Sequence, residues 1–161
     1  MGVKEKRHRL PRESYKGLVS VAFTLCLRGG VPAFTQPEIV NIFRDVLTSV
    51  IAKKACIVPV YCFMPDHQHL IITGTCSDSD IWNALVSYKQ RTGYWTTANK
   101  AGISWQKDFY DHVIKKHEDI ATQVRYILDN PVRKGWVSSW QEYPFKGSIG
   151  CNMEDVLGAM V

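Results

Sequence analysis

The chain contains no run of about twenty apolar residues, which excludes a membrane-spanning helix at the level of the sequence. It has no CxxC pair. Its five cysteines, Cys26, Cys56, Cys62, Cys76 and Cys151, are odd in number and irregular in spacing. That argues against a secreted disulfide framework and for reduced thiols in a core. A cysteine–histidine zinc site from Cys62, His67, His69 and Cys76 fits no common zinc spacing. The basic first residues are not followed by an apolar stretch with a small-residue cleavage site. Residues 18–27 are apolar but hold polar positions and end in Arg28-Gly29-Gly30, as a strand would. The expected location is the cytoplasm. Repeats, low-complexity tracts and internal linkers are also missing. The 161 residues, 45% of them hydrophobic, therefore read as one domain over 1–161, with a basic arm over 1–16 and a tail over 138–161. Acidic residues are scarce, 15 against 20 Lys and Arg, and the net charge of +5 points mildly to a polyanionic partner.

The apolar pattern supplies the elements. Residues 18–28 alternate as a first strand that Gly29-Gly30 ends. Thr35 or Gln36 caps a helix with Pro37 in its first turn, and Ile39, Ile42, Phe43, Val46, Leu47 and Val50 carry it to about residue 54. Two strands, 55–63 and 67–73, flank the turn Met64-Pro65-Asp66. Ser77-Asp78-Ser79-Asp80 caps a helix over 81–98, with Trp82, Leu85, Val86 and Lys89 as its seam and Tyr88 beside it. A strand over 109–114 follows. A third helix runs from about 117 to 130 and ends there, because Pro131 biases its predecessor away from helix. The order β-α-β-β-α-β-α predicts an α+β fold, a ferredoxin-like two-layer sandwich with an antiparallel sheet.

Two segments carry chemistry. His67 and His69 are two apart at the start of a strand, so their side chains share a face and can grip one metal ion. The same spacing also suits a pair of hydrogen-bonded strand histidines. Tyr126 and Asn130 are four apart on a helix and share a face. An unassisted tyrosine hydroxyl ionises only near pH 10 and is a poor nucleophile; a divalent ion drawing charge from a phosphate lowers the barrier from the other side. Two imidazoles and the Asn130 amide oxygen would make an N,N,O set suited to Mg²⁺ or Mn²⁺. Asn130 before a proline also reads as a helix-end residue. Tyr94 and Tyr110 are weaker rivals to Tyr126, because neither precedes a ligand-type residue by one helical turn.

The segment Met64-Pro65-Asp66-His67-Gln68-His69-Leu70 resembles the His-hydrophobe-His motif of the HUH transposases with one catalytic tyrosine. Tyr126-Ile127 and Asn130-Pro131-Val132-Arg133-Lys134-Gly135-Trp136-Val137 resemble the tyrosine segment of the REP-associated tyrosine transposases. Arg9-Leu10-Pro11-Arg12, Trp105-Gln106, Asp111-His112 and the stretch 140–145 also look like that family. The chain departs from the pattern at Asp66, where the family usually has Asn, and at Gln68, where it has a hydrophobe. The resemblance implies a transposase that cuts single-stranded, hairpin-associated DNA. It implies Tyr126 as nucleophile, a 5′-phosphotyrosine intermediate and a free 3′-OH. His67, His69 and Asn130 are the implied ligands of a divalent metal, Mg²⁺ or Mn²⁺. A monomer is expected rather than a dimer.

Arg9, Arg12, Lys89, Arg91 and Lys107 are candidate DNA-phosphate contacts. Among Tyr88, Tyr94, Trp95, Trp105, Phe109 and Tyr110, at most two are expected to stack on bases, the rest being core. His112 and His117 receive no role. Two other functions fit the same residues: a non-catalytic nucleic-acid-binding module, and a small metal-dependent hydrolase with water as nucleophile. A covalent protein–DNA product separates the first reading from both.

Overall fold

Alternation along the chain builds the centre of a sheet. In the computed structural model, which describes residues 9–116 and 118–158, strand β1 (Ser20–Cys26) buries Val21, Phe23 and Leu25 and leaves the residues between them half-buried. Strands β2 (Cys56–Met64) and β3 (His67–Gly74) form a hairpin in which Met64 faces His67 across the Pro65-Asp66 turn. β2 is buried almost throughout because both of its faces are covered. Strands β4 (Tyr110–Ile114) and β5 (Lys146–Ile149) complete an antiparallel sheet in the order β4-β1-β3-β2-β5. The strand that carries the histidines is therefore central.

Helices α1 (Pro37–Lys53) and α2 (Ile81–Ala98) cover one face. Pro37 sits in the first turn of α1, where its missing N–H costs nothing. Asp80 caps α2 by accepting from the Asn83 amide. Between them and the sheet lies an aromatic core of Phe34, Phe43, Phe63, Tyr88 and Trp105. On the other face, Val60, Cys62, Met64 and Ile71 pack against Val124, Ile127 and Leu128 of α3 (Ile120–Leu128) and Leu157 of α5 (Met153–Gly158). The α+β, ferredoxin-like reading is borne out, with α3 and α5 added as partial cover on the second face.

Three expectations need correction. The seam of α2 is Ile81, Leu85, Tyr88, Thr92 and Thr96, with Trp82, Val86 and Lys89 only half-buried. Thr92 is tolerated inside because its hydroxyl donates to the Tyr88 carbonyl and accepts from Trp105 Nε1. The chain does not leave helical conformation at Pro131. The break falls at Asp129, and a second turn, α4 (Asn130–Arg133), follows with Pro131 in its first turn. Strand β5 lies in what reads as tail. It passes closely over Tyr61, where a Cβ at Gly147 would meet the hydroxyl at 2.7 Å and the ring carbon bearing it at 2.9 Å, so any larger residue would push the phenol aside. The cysteine–histidine zinc set does not assemble. Cys76 lies beyond the far end of β3 from His67, and among the described residues no three His, Cys, Asp or Glu side chains converge on an ion site. Among the described residues no helix is long and apolar enough to cross a membrane.

Candidate metal and tyrosine site

β3 presents His67 and His69 on the face that α3 partly covers, and Gln68 on the face of α2. The two imidazoles meet edge to face, with Nε2 of one 3.2 Å from Nε2 of the other. Each Nδ1 is occupied. His67 Nδ1–H donates to Asp66 Oδ1 at 2.7 Å, and His69 Nδ1 lies 3.0 Å from Thr24 Oγ1 on the neighbouring strand. The Thr24 hydroxyl can donate or accept, so it suits either His69 tautomer. Burial, then the nearby His67 and Arg133 charges, pushes the His69 pKa down to about 3, so its ring is neutral near pH 7.

This arrangement fits a divalent ion. Two ligand nitrogens each about 2.1 Å from one ion stand about 3 Å apart across a right angle. Both donors are imidazole nitrogens, and each ring is oriented through its other nitrogen, one by a carboxylate and one by a hydroxyl. Asp66, the departure from the family pattern, is thus the group that orients His67. Gln68, the other departure, is fully buried. Its Oε1 accepts from the Tyr88 hydroxyl at 2.6 Å, while its Nε2 has no hydrogen-bond partner among the described residues.

Tyr126 projects from α3 into the same neighbourhood. Capping by Asp119, whose carboxylate accepts from the Ala121 amide, starts α3, and Ala121, Val124, Ile127 and Leu128 anchor it to the sheet. That leaves Tyr126 at the helix edge, 64% exposed. Tyr126, Gln123 and Ile127 of α3 line a cavity of about 170 Å³ together with His69, Thr24, Tyr110 and His112. His112 Nε2 is 2.8 Å from Glu118 Oε2. His117 lies outside the described residues.

Asn130 sits one helical turn after Tyr126, at the start of α4. Its amide is already held. Nδ2 donates to the Ile127 carbonyl at 3.0 Å, and Oδ1 accepts from Arg133 Nη2 at 2.8 Å. The same Arg133 nitrogen donates to the Tyr126 carbonyl at 3.1 Å, and the guanidinium lies 4.3 Å from the centre of the Tyr126 ring.

Of the basic residues singled out as DNA contacts, Arg9 and Lys89 are half-buried and held by the fold, while Arg12, Arg91 and Lys107 are exposed. Arg9 pairs with buried Asp111 at 2.9 Å, donates to the Phe109 carbonyl and lies over the Phe109 ring. Asp111 also accepts from the Tyr15 hydroxyl. Arg12 stacks on Trp82 at 3.8 Å. Lys89 donates to the carbonyls of Gln106 and Lys107, and burial lowers its pKa. Arg91 is on α2, in the layer opposite the histidines, and donates to Ser49. Lys107 is exposed. Lys4, Lys6, Arg7 and His8 of the basic arm lie outside the described residues. Of the candidate stacking aromatics, Tyr88, Trp105 and Phe109 are core, Trp95 is half-buried, and Tyr94 and Tyr110 are exposed. Sequence reasoning gave no part to Lys134 and Trp136, which line a groove with Gly30, Pro65, Asp66 and His67.

No family model matches the chain. Over 105 residues it is 28% identical to a REP-associated tyrosine transposase of Escherichia coli K12, an alignment covering 65% of this chain. The chain spans 62% of the length of that relative. It is 25% identical to a candidate REP-associated tyrosine transposase of Haemophilus influenzae, with 76% of each chain covered. Among solved structures, a REP-associated tyrosine transposase bound to a REP hairpin superposes with a TM-score of 0.68 at 26% identity, covering 89% of this chain and 82% of the other. The resemblance carried by the histidine and tyrosine segments thus extends over most of the chain, and the protein is similar in sequence and in fold to the REP-associated tyrosine transposases.

Proposed function

We propose that the protein cuts and rejoins single-stranded DNA beside a hairpin, through a covalent link to Tyr126. The observation that carries this reading is the facing pair of His67 and His69 Nε2 atoms beside the cavity that Tyr126 lines. A homologue solved with a REP hairpin supports DNA of that kind as substrate.

His67 Nε2, His69 Nε2 and Asn130 Oδ1 would hold a Mg²⁺ or Mn²⁺ ion. Such an ion withdraws charge from a scissile phosphate. Asp66 and Thr24 fix the two imidazoles for it. The Tyr126 oxygen attacks phosphorus and the bond from phosphorus to the 3′ oxygen breaks. The phenol's proton ends on the departing 3′ oxygen, leaving a 5′-phosphotyrosine and a free 3′-OH. Attack by a 3′-OH on that link reverses the step and joins strands, with no external energy source, since one phosphodiester is exchanged for another. Lys134 and Trp136, in the groove beside His67, are the proposed contacts for backbone and base.

The test is incubation with a labelled DNA hairpin carrying single-stranded flanks, plus Mn²⁺, followed by a denaturing gel. A covalent protein–DNA band is expected, and Tyr126→Phe should abolish it while hairpin binding persists. An adduct that survives Tyr126→Phe, or that Tyr110→Phe removes instead, overturns the assignment. Hairpin binding with no adduct would favour a non-catalytic binding module.

A further inference from the structure

One side chain outside the proposed ligand set touches both the proposed nucleophile and the proposed third ligand. Arg133 donates to Asn130 Oδ1 and to the Tyr126 carbonyl from a single nitrogen, and its guanidinium covers the Tyr126 ring. The Asn130 amide cannot turn to offer a different atom without losing its bond to the Ile127 carbonyl. Its oxygen has a second lone pair, but a guanidinium at 2.8 Å repels a dication at that oxygen. Arg133 is exposed at the end of α4, so its side chain can leave without disturbing the core. Guanidinium groups bind phosphate in a bidentate fork more strongly than they bind a neutral amide.

We propose that Arg133 competes with the divalent ion for Asn130, and that a DNA phosphate, by drawing Arg133 away, releases the Asn130 oxygen to complete the ligand set. The inference rests on Asn130 being a ligand in the reading above. It makes DNA and metal binding cooperative, because each occupies one side of the Arg133–Asn130 contact.

Four proteins test it: the wild type, Arg133→Ala, Asn130→Ala and the double variant. Mn²⁺ affinity is measured by electron paramagnetic resonance without DNA. Arg133→Ala should bind Mn²⁺ about tenfold more tightly than wild type, the scale of one charge-assisted hydrogen bond removed from competition. Asn130→Ala alone should match wild type, and in the double variant the gain should vanish. A gain kept in full by the double variant would mean that only a positive charge was removed, and no gain in Arg133→Ala would mean no competition; either overturns the proposal. The ligand reading is checked separately in a Tyr126→Phe background with hairpin DNA bound, where Asn130→Ala should weaken Mn²⁺ binding. If it does not, while His67→Ala does, Asn130 is not a ligand, and the fault lies in that reading.

Discussion

Asp66 and Thr24 decide how well two histidines act as a pair. Each holds one Nδ1 and so aims one Nε2. Asp66→Ala should weaken Mn²⁺ binding about 10- to 100-fold, the usual effect of losing a group that orients a ligand histidine. Titration calorimetry checks it, and unchanged affinity would show that the hairpin alone orients His67. Gln68 offers a second test. Its Nε2 is buried without a partner among the described residues, which costs about 1–3 kcal/mol. Gln68→Leu alone orphans the Tyr88 hydroxyl, so its effect should be small. Gln68→Leu combined with Tyr88→Phe should raise stability by about 1 kcal/mol or more in urea unfolding. The two histidines and their shared face are legible in the sequence, because period two in a strand dictates it. The partners are not, since Thr24 reaches His69 only through the register of β1 on β3. Charge alone does not show which partners a cation will find within the fold. Arg9 and Lys89 carry full charges in the sequence, but Asp111 and two loop carbonyls claim them.

At the scale of elements, α3 carries the tyrosine and depends on its cap. Asp119→Ala should cost about 1 kcal/mol and lower the melting temperature by roughly 2–4 °C. It should also lower adduct yield, because the first turn of α3 sets where Tyr126 stands. A melting curve and the denaturing gel measure the two effects, and full yield at lowered stability would separate helix anchoring from nucleophile placement. The helix α2 is legible to its ends, since Asp80 caps it and an apolar period runs through it. Its buried face is less so, because Thr92 and Thr96 look polar until hydrogen bonds to helix carbonyls satisfy them. The continuation through Asn130 and Pro131 is missed for a local reason. The rule for residues before proline is a bias, and here a break at Asp129 lets proline open a new turn. β5 is only four residues long, Lys-Gly-Ser-Ile, too short and too poor in apolar residues to show a period.

For the whole molecule, the net charge of +5 and the groove holding Lys134 and Trp136 predict binding dominated by phosphates. Three such contacts to a single strand would weaken binding about twentyfold as salt rises from roughly 50 to 200 mM. Fluorescence anisotropy at several salt concentrations measures the slope, and Lys134→Ala should flatten it by about one contact. A flat dependence contradicts the model of the interface. Chelation should abolish the covalent band, and added Mn²⁺ should restore it. The position of the histidines in the sheet carries a further consequence. β3 is hydrogen-bonded on both sides, by β1 and β2, so its central amides exchange with solvent only when the sheet itself opens. Tyr126, Asn130 and Arg133 ride on two short helices, of which α3 is held by the smaller of the two apolar clusters and α4 buries Pro131 alone. Opening of those helices should therefore cost less than global unfolding. On warming, the power to form the adduct should fade before the sheet melts, and hydrogen exchange should show 120–133 losing protection while 67–72 stays closed. The histidine pair would then stay in place at temperatures where the proposed nucleophile and third ligand no longer do.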